Sequence, residues 1–97
     1  MSESRAWTFL SNHTHVLVCV ADDPEARLRD IAERVGVTER AVSMIVADLE
    51  AGGYVERERV GRRNRYKVLR RGRLRHPLES HHTVGTLLDV IADGERN

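Results

Sequence analysis

Ten of the chain's 16 basic side chains fall within residues 54–76, and nine of those ten are arginine. Arg57, Arg59, Arg62, Arg63, Arg65, Lys67, Arg70, Arg71, Arg73 and Arg75 face only Glu56 and Glu58 in that stretch, a local net charge of +8. A guanidinium is a planar fork of N–H donors that grips phosphate oxygens or a guanine edge bidentately, where lysine offers a point charge. The chemistry this run can do is therefore anion binding, with nucleic acid as the natural polyanion. A charge run is more often a solvated surface or a floppy tail. Here Tyr54, Val55, Val60, Tyr66, Val68 and Leu69 interleave with the charges, which predicts a folded basic ribbon.

The remaining reactive side chains form weaker patterns. His13 and His15 are two apart and do not share a helix face, and the adjacent His81 and His82 diverge as well, with His76 further upstream. No Cys-x-Cys or Asp-x-His spacing supports them, so no metal is expected. The single cysteine, Cys19, reads as a small core residue rather than a sensor thiol. There is no Gly-x-Ser-x-Gly, no phosphate loop and no convergent pair of carboxylates, so neither an enzyme nor a cofactor is expected.

The chain that must position the arginines has 97 residues and a net charge of only +1, because residues 1–53 carry −4 and residues 77–97 carry −3. That length allows one domain, burying roughly 60–65% of its unfolded surface. No apolar run approaches the ~18 residues a membrane span needs. The start, Met1-Ser2-Glu3-Ser4-Arg5, lacks the basic and apolar stretches of a signal peptide. One cysteine excludes an internal disulfide and fits a reducing compartment, so a cytoplasmic location is expected.

Residues 1–10 are a lead-in with Trp7, Phe9 and Leu10. Ser11 or Asn12 can cap a helix to about Ala21 with His13, Val16, Leu17 and Val20 on one stripe, though its valines would also suit a strand. Asp22-Asp23-Pro24 ends it. Leu28, Ile31, Ala32 and Val35 form a second stripe stopped by Gly36, and Thr38 caps a third helix that buries Val42, Ile45, Val46 and Leu49 before Gly52-Gly53. Two β-branched and aromatic runs, 54–60 and 65–69, flank a Gly61-Arg62-Arg63-Asn64 turn and read as a hairpin of uncertain register. Residues 70–77 read as a basic linker ending at Pro77. From about Ser80 a last helix carries Val84, Leu87, Leu88 and Ile91 on one face, with Gly85 inside it, a cost of roughly 1 kcal/mol relative to alanine, and Gly94 beyond it.

Two short helices joined through Gly36-Val37-Thr38 have helix-turn-helix proportions, with Ala32 small enough for close approach. A basic two-stranded wing directly follows. The expected fold is mainly α with a small β-hairpin wing (α+β): a winged helix-turn-helix plus a C-terminal amphipathic helix. Residues 28–38 (LRDIAERVGVT), 47–55 (ADLEAGGYV) and 59–66 (RVGRRNRY) resemble the MarR/ArsR-type winged-helix transcriptional regulators of bacteria and archaea. The resemblance spans residues 11–70, which it implies are a DNA-binding domain. Residues 71–97 are then the linker and a dimerisation element.

The resemblance implies a homodimer on double-stranded DNA, with the helix over 38–51 in the major groove and the wing over 54–69 on backbone or minor groove. Carried over by position, Thr38, Glu39, Arg40, Ser43 and Met44, with Ala47 beside them, face the groove, and helical geometry puts them opposite Val42, Ile45, Val46 and Leu49. Arg40 suits guanine, Ser43 a phosphate or an adaptable base contact, and Met44 a thymine methyl. Arg62 and Arg63 at the wing tip suit the minor groove, and Arg57, Arg65 and Lys67 the backbone. That helix offers one cation, and Glu39 and Asp48 oppose phosphate, so affinity is expected to lean on the wing.

The family's longer members form their dimer and effector pocket with extra terminal helices. Here the candidates for dimerisation are Trp7, Phe9, Val84, Leu87, Leu88 and Ile91. The last helix could pack in cis on the first helix or pair with its twin across a two-fold axis. The twin is the expectation, since one short amphipathic helix gains little alone. A large apolar effector cavity is not expected in so short a chain. The competing function is a winged-helix module that binds protein; RNA binding is a third.

Overall fold

A computed structural model of the chain describes residues 7–95; the first six residues of the lead-in, including the Met1–Arg5 stretch, lie outside it. The element order is α1 (Asn12–Asp22), α2 (Leu28–Val35), α3 (Glu39–Ala51), β1 (Val55–Val60), β2 (Arg63–Val68) and α4 (Val84–Glu95). No described helix is long and apolar enough to cross a membrane.

Local chemistry sets most boundaries. Ser11 caps α1, its hydroxyl accepting from the Thr14 amide at 3.4 Å, and the valine-rich stretch that could have been a strand is helical. α2 ends at Gly36, whose φ of +88° is left-handed and directs its own amide and that of Val37 back to the Ala32 carbonyl, at 2.8 and 3.1 Å. A side chain there would clash with its own backbone, so glycine is what permits the turn. Thr38 caps α3 by accepting from the Ala41 amide at 3.0 Å. The far end of α3 closes as a Schellman motif: Tyr54 N–H reaches the Leu49 carbonyl at 2.8 Å and Gly53 N–H the Glu50 carbonyl at 3.1 Å.

α1, α2 and α3 cross around Val16, Val20, Ile31 and Val42, the fully buried centre of the core. His13, expected on the α1 stripe, is exposed instead, because the stripe reaches the rim of the helix bundle one turn before the core begins. The hairpin closes the side of the bundle with Val55 and Tyr66. Its ladder runs antiparallel from Val55 opposite Val68 to Val60 opposite Arg63. The turn is thus the two residues Gly61-Arg62, and Arg63 and Asn64, expected in the turn, are strand residues. Gly61 at φ +63° followed by Arg62 at negative φ is the pattern of a type II′ hairpin turn, whose twist matches the strands. The Tyr66 amide on the outer edge of β2 donates to the Pro24 carbonyl at 2.8 Å, so the α1–α2 loop covers that edge.

Residues 70–83 are folded tightly rather than extended as a linker. The Tyr54 ring lies between Gly52 and Gly72, where an added Cβ would stand 2.9 and 2.8 Å from ring carbons, and its hydroxyl donates to the Arg73 carbonyl. Arg73 bridges to Thr83, and the amides of Val84 and Gly85 return to the carbonyls of Gly72 and Arg70 at 2.8 and 3.0 Å. α4 starts at Val84 rather than near Ser80, because the Thr83 hydroxyl accepts from the Thr86 amide at 3.2 Å, and it continues through Gly94. Gly85 is there for contact: a Cβ would sit 2.9 Å from the Arg70 carbonyl oxygen. Val84 and Leu88 are buried at 3% and 5% exposure in the same core as the three-helix bundle. The α4 face packs in cis, so these two residues are already covered within one chain.

Candidate nucleic-acid interface

α3 turns Val42, Ile45, Val46 and Leu49 inward, which leaves Thr38, Glu39, Arg40, Ser43, Met44 and Ala47 exposed on its outer face. Met44 is 64% exposed, an apolar side chain held in water. The Thr38 oxygen already accepts one hydrogen bond as the helix cap, which leaves its O–H donor and one lone pair to offer. Arg40 forms no ion pair among the described residues. Asp48, the acid expected to oppose phosphate, is paired to His13 of α1 at 2.9 Å, so part of its charge is met within the fold when that histidine is protonated.

The wing is less uniform than its charge count. Directly opposed residues in an antiparallel ladder share a face, so Glu56 and Glu58 stand opposite Lys67 and Arg65 on one side. The other side carries Arg57 and Arg59 with Asn64 and Tyr66. Two further acids reach the wing from outside it. Arg57 pairs with Glu50 at the end of α3 at 3.4 Å, and Arg65 with Glu25 of the α1–α2 loop at 3.0 Å. Arg62 sits at the apex, while Arg63 is in the strand and donates to the Glu25 carbonyl at 3.2 Å. Of the expected wing contacts, Arg62, Arg63 and Lys67 have no ion pair among the described residues. Arg57 and Arg65 would have to exchange one. Such exposed pairs contribute about 0–1 kcal/mol, so the exchange is cheap.

Glu25 was not identifiable as a partner of the wing from sequence, since the Glu25–Arg65 pair spans 40 positions. Elsewhere, the expected dimerisation set separates. Val84 and Leu88 are internal, Leu87 and Ile91 half-buried, and Trp7 and Phe9 project at 67% and 92% exposure, their rings edge-to-face with centroids 5.1 Å apart. The two aromatics therefore lie outside the core of the single chain. The His81 and His82 rings touch each other at 4.3 Å, and no group of three ligating side chains meets among the described residues. Cys19 is buried. An open groove of about 670 Å³ runs between the start of α1, the end of α3 and the start of α4, lined by Leu17, Leu49, Leu74, Val84 and Leu87 among others.

A helix, a helix–turn–helix closed by Gly36 and Thr38, and a twisted hairpin define a winged helix-turn-helix domain. The family model of the MarR family matches residues 8–65, and the chain belongs to that family. It is similar to the solved structure of the PcaV transcriptional regulator from Streptomyces coelicolor in complex with its natural ligand, with 26% identity and a TM-score of 0.53. The match covers 61% of this chain and 44% of that one, so the chain spans less than half of PcaV's length. No curated protein matches it.

Proposed function

We propose that the chain is a cytoplasmic, DNA-binding transcriptional regulator that sets α3 in the major groove and its wing on the flanking backbone and minor groove. One observation carries the reading most: α3 is built as a core helix on one side, while Arg40, Ser43 and Met44 on the other face water with no structural partner among the described residues. Membership in the MarR family and its likeness to a transcriptional regulator support it. Arg40 reads guanine, Met44 a thymine methyl, and Ser43 a phosphate or base edge. Glu39 and Thr38 sit at the helix entrance. Arg62 enters the minor groove, Arg63 supports it from the strand, and Lys67, Arg57 and Arg65 hold phosphates. Residues 11–70 form the DNA-binding part, and residues 71–97 close its core and contribute to association. Two chains pair through Trp7, Phe9, Leu87 and Ile91, the part of the dimerisation set a second copy can still cover, and read half-sites about one turn apart.

Titrating a labelled duplex at rising salt tests this. About three phosphates neutralised per protomer give a log–log slope near −5 for a dimer. A flat response sinks the reading, and binding to a protein partner that random duplex does not displace favours the protein-interaction alternative.

A further inference from the structure

A cleft of about 340 Å³ opens between the wing and the start of α2, lined by Glu25, Arg27, Leu28, Arg62, Arg63 and Asn64 among others. Three arginines, one from the loop before α2 and two from the wing, thus line one opening. Arg27 and Arg62 have neither an ion pair nor a hydrogen bond among the described residues. The one hydrogen bond of the Arg63 side chain among the described residues goes to the Glu25 backbone carbonyl, and the Glu25 carboxylate is turned to Arg65. The cleft therefore holds positive charge that no acid on its walls answers fully.

Its placement sharpens the point. Arg27 is the residue immediately before α2, with extended backbone at φ −82° and ψ 154°, and no side chain there accepts from the first amides of the helix. Serine, threonine, aspartate or asparagine would normally fill that position, and a cation there meets the positive end of the helix dipole. Asp30, the one acid in the first turn, is not among the residues lining the cleft. Like charges gathered at a helix end repel one another, and an anion between them relieves the repulsion.

We infer that this cleft takes a phosphodiester of the DNA backbone bordering the minor groove, gripped by Arg27 just before α2 and by Arg63 from the wing strand, while Arg62 at the apex reaches on into the groove. The inference rests on the DNA-binding reading above and adds Arg27 to it as a backbone-contacting residue. The occupant is a strand rather than a free anion because the cleft is open and its cations are all exposed: bulk water outcompetes a lone phosphate there, whereas a strand already anchored by α3 and the wing delivers one. The bound phosphate bridges wing and helix and fixes the wing's angle on the duplex.

The test is the same duplex titration with Arg27→Gln, with Arg29→Gln as a control on the same exposed turn but outside the cleft, each checked for an unchanged thermal melt. Arg27→Gln should lower affinity about five- to tenfold near physiological salt and make the salt slope shallower by about one per protomer. Arg29→Gln should stay within about twofold. If Arg27→Gln binds as tightly and as steeply as the parent while Arg62→Ala/Arg63→Ala loses affinity, the cleft assignment falls and the DNA reading stands. If the parent binds no duplex, the DNA reading falls and takes the assignment with it. Inorganic phosphate alone, followed by the Arg27 side-chain Nε–H resonance, should produce no saturable shift at millimolar concentration. A saturable shift without any effect of the variant on DNA would make the cleft a free-anion site and overturn the inference.

Discussion

Leu88→Ala probes whether α4 belongs to the core of its own chain. Leu88 is 5% exposed and sits in one cluster with Val84, Tyr54 and the three-helix bundle. Truncation removes three carbons, a transfer loss of about 2 kcal/mol at ~0.8 kcal/mol per buried methylene. The residual cavity adds about 1 kcal/mol, toward the low end of the usual range because α4 lies at the edge of the core and its neighbours can relax. The expected loss is about 3 kcal/mol, which in urea at ~1.5 kcal/mol per molar moves the midpoint down by about 2 M. Unfolding should be followed at about 2 and about 200 μM protein, since association stabilises by mass action. Packing in cis predicts the same difference between variant and parent at both concentrations. A loss below about 1 kcal/mol, or one that vanishes as dilution separates the parent chains, would refute it and return Leu88 to an interface between copies.

Three further outcomes follow from the geometry. Gly72→Ala places a Cβ against the Tyr54 ring, 2.8 Å from Cδ1, and should lower stability by about 1–3 kcal/mol, read as a drop in the melting midpoint. Glu25→Gln frees Arg65 from its acid at 3.0 Å and removes a negative charge beside the wing; stability should change by less than about 1 kcal/mol, while duplex affinity at ~50 mM salt rises about two- to fivefold. Arg40→Ala should cost about 1–3 kcal/mol on the preferred sequence and much less on random duplex, measured by competition. Equal loss on both would make Arg40 a phosphate contact.

What could be read in the sequence were the features whose causes are local. Gly36 and Thr38 mark the helix–turn–helix because a left-handed turn and a hydroxyl cap are properties of those residues themselves, and the i, i+3, i+4, i+7 stripe of α3 dictates which side is left for DNA. The hairpin was legible, but its register was not. Asn64 looks like a turn residue, yet Gly61 alone supplies the positive φ that a two-residue turn needs, so Arg63 and Asn64 join the ladder. His13 fits the stripe by period but lies beyond the end of the core. Non-local contacts were hidden altogether. Tyr54 between Gly52 and Gly72 turns an apparent linker into a docked loop, and that loop brings α4 onto its own core. The acids that meet the wing come from Glu25 and Glu50, and the cations of the cleft pair Arg27 with a hairpin more than thirty positions away. Charge along the chain indicated a basic wing, and only the fold shows which of its cations are free to act.

The central claim is that the outer face of α3 and the wing apex meet DNA, and amide chemical-shift mapping of isotope-labelled protein against an unlabelled duplex tests it most directly. Shifts should concentrate at Thr38–Ala47 and at Gly61–Arg63 and leave α4 near its free positions. Shifts confined to α4 and the groove beside Leu74 and Val84, with the amides of Arg40, Ser43 and Arg62 unmoved, would contradict the account.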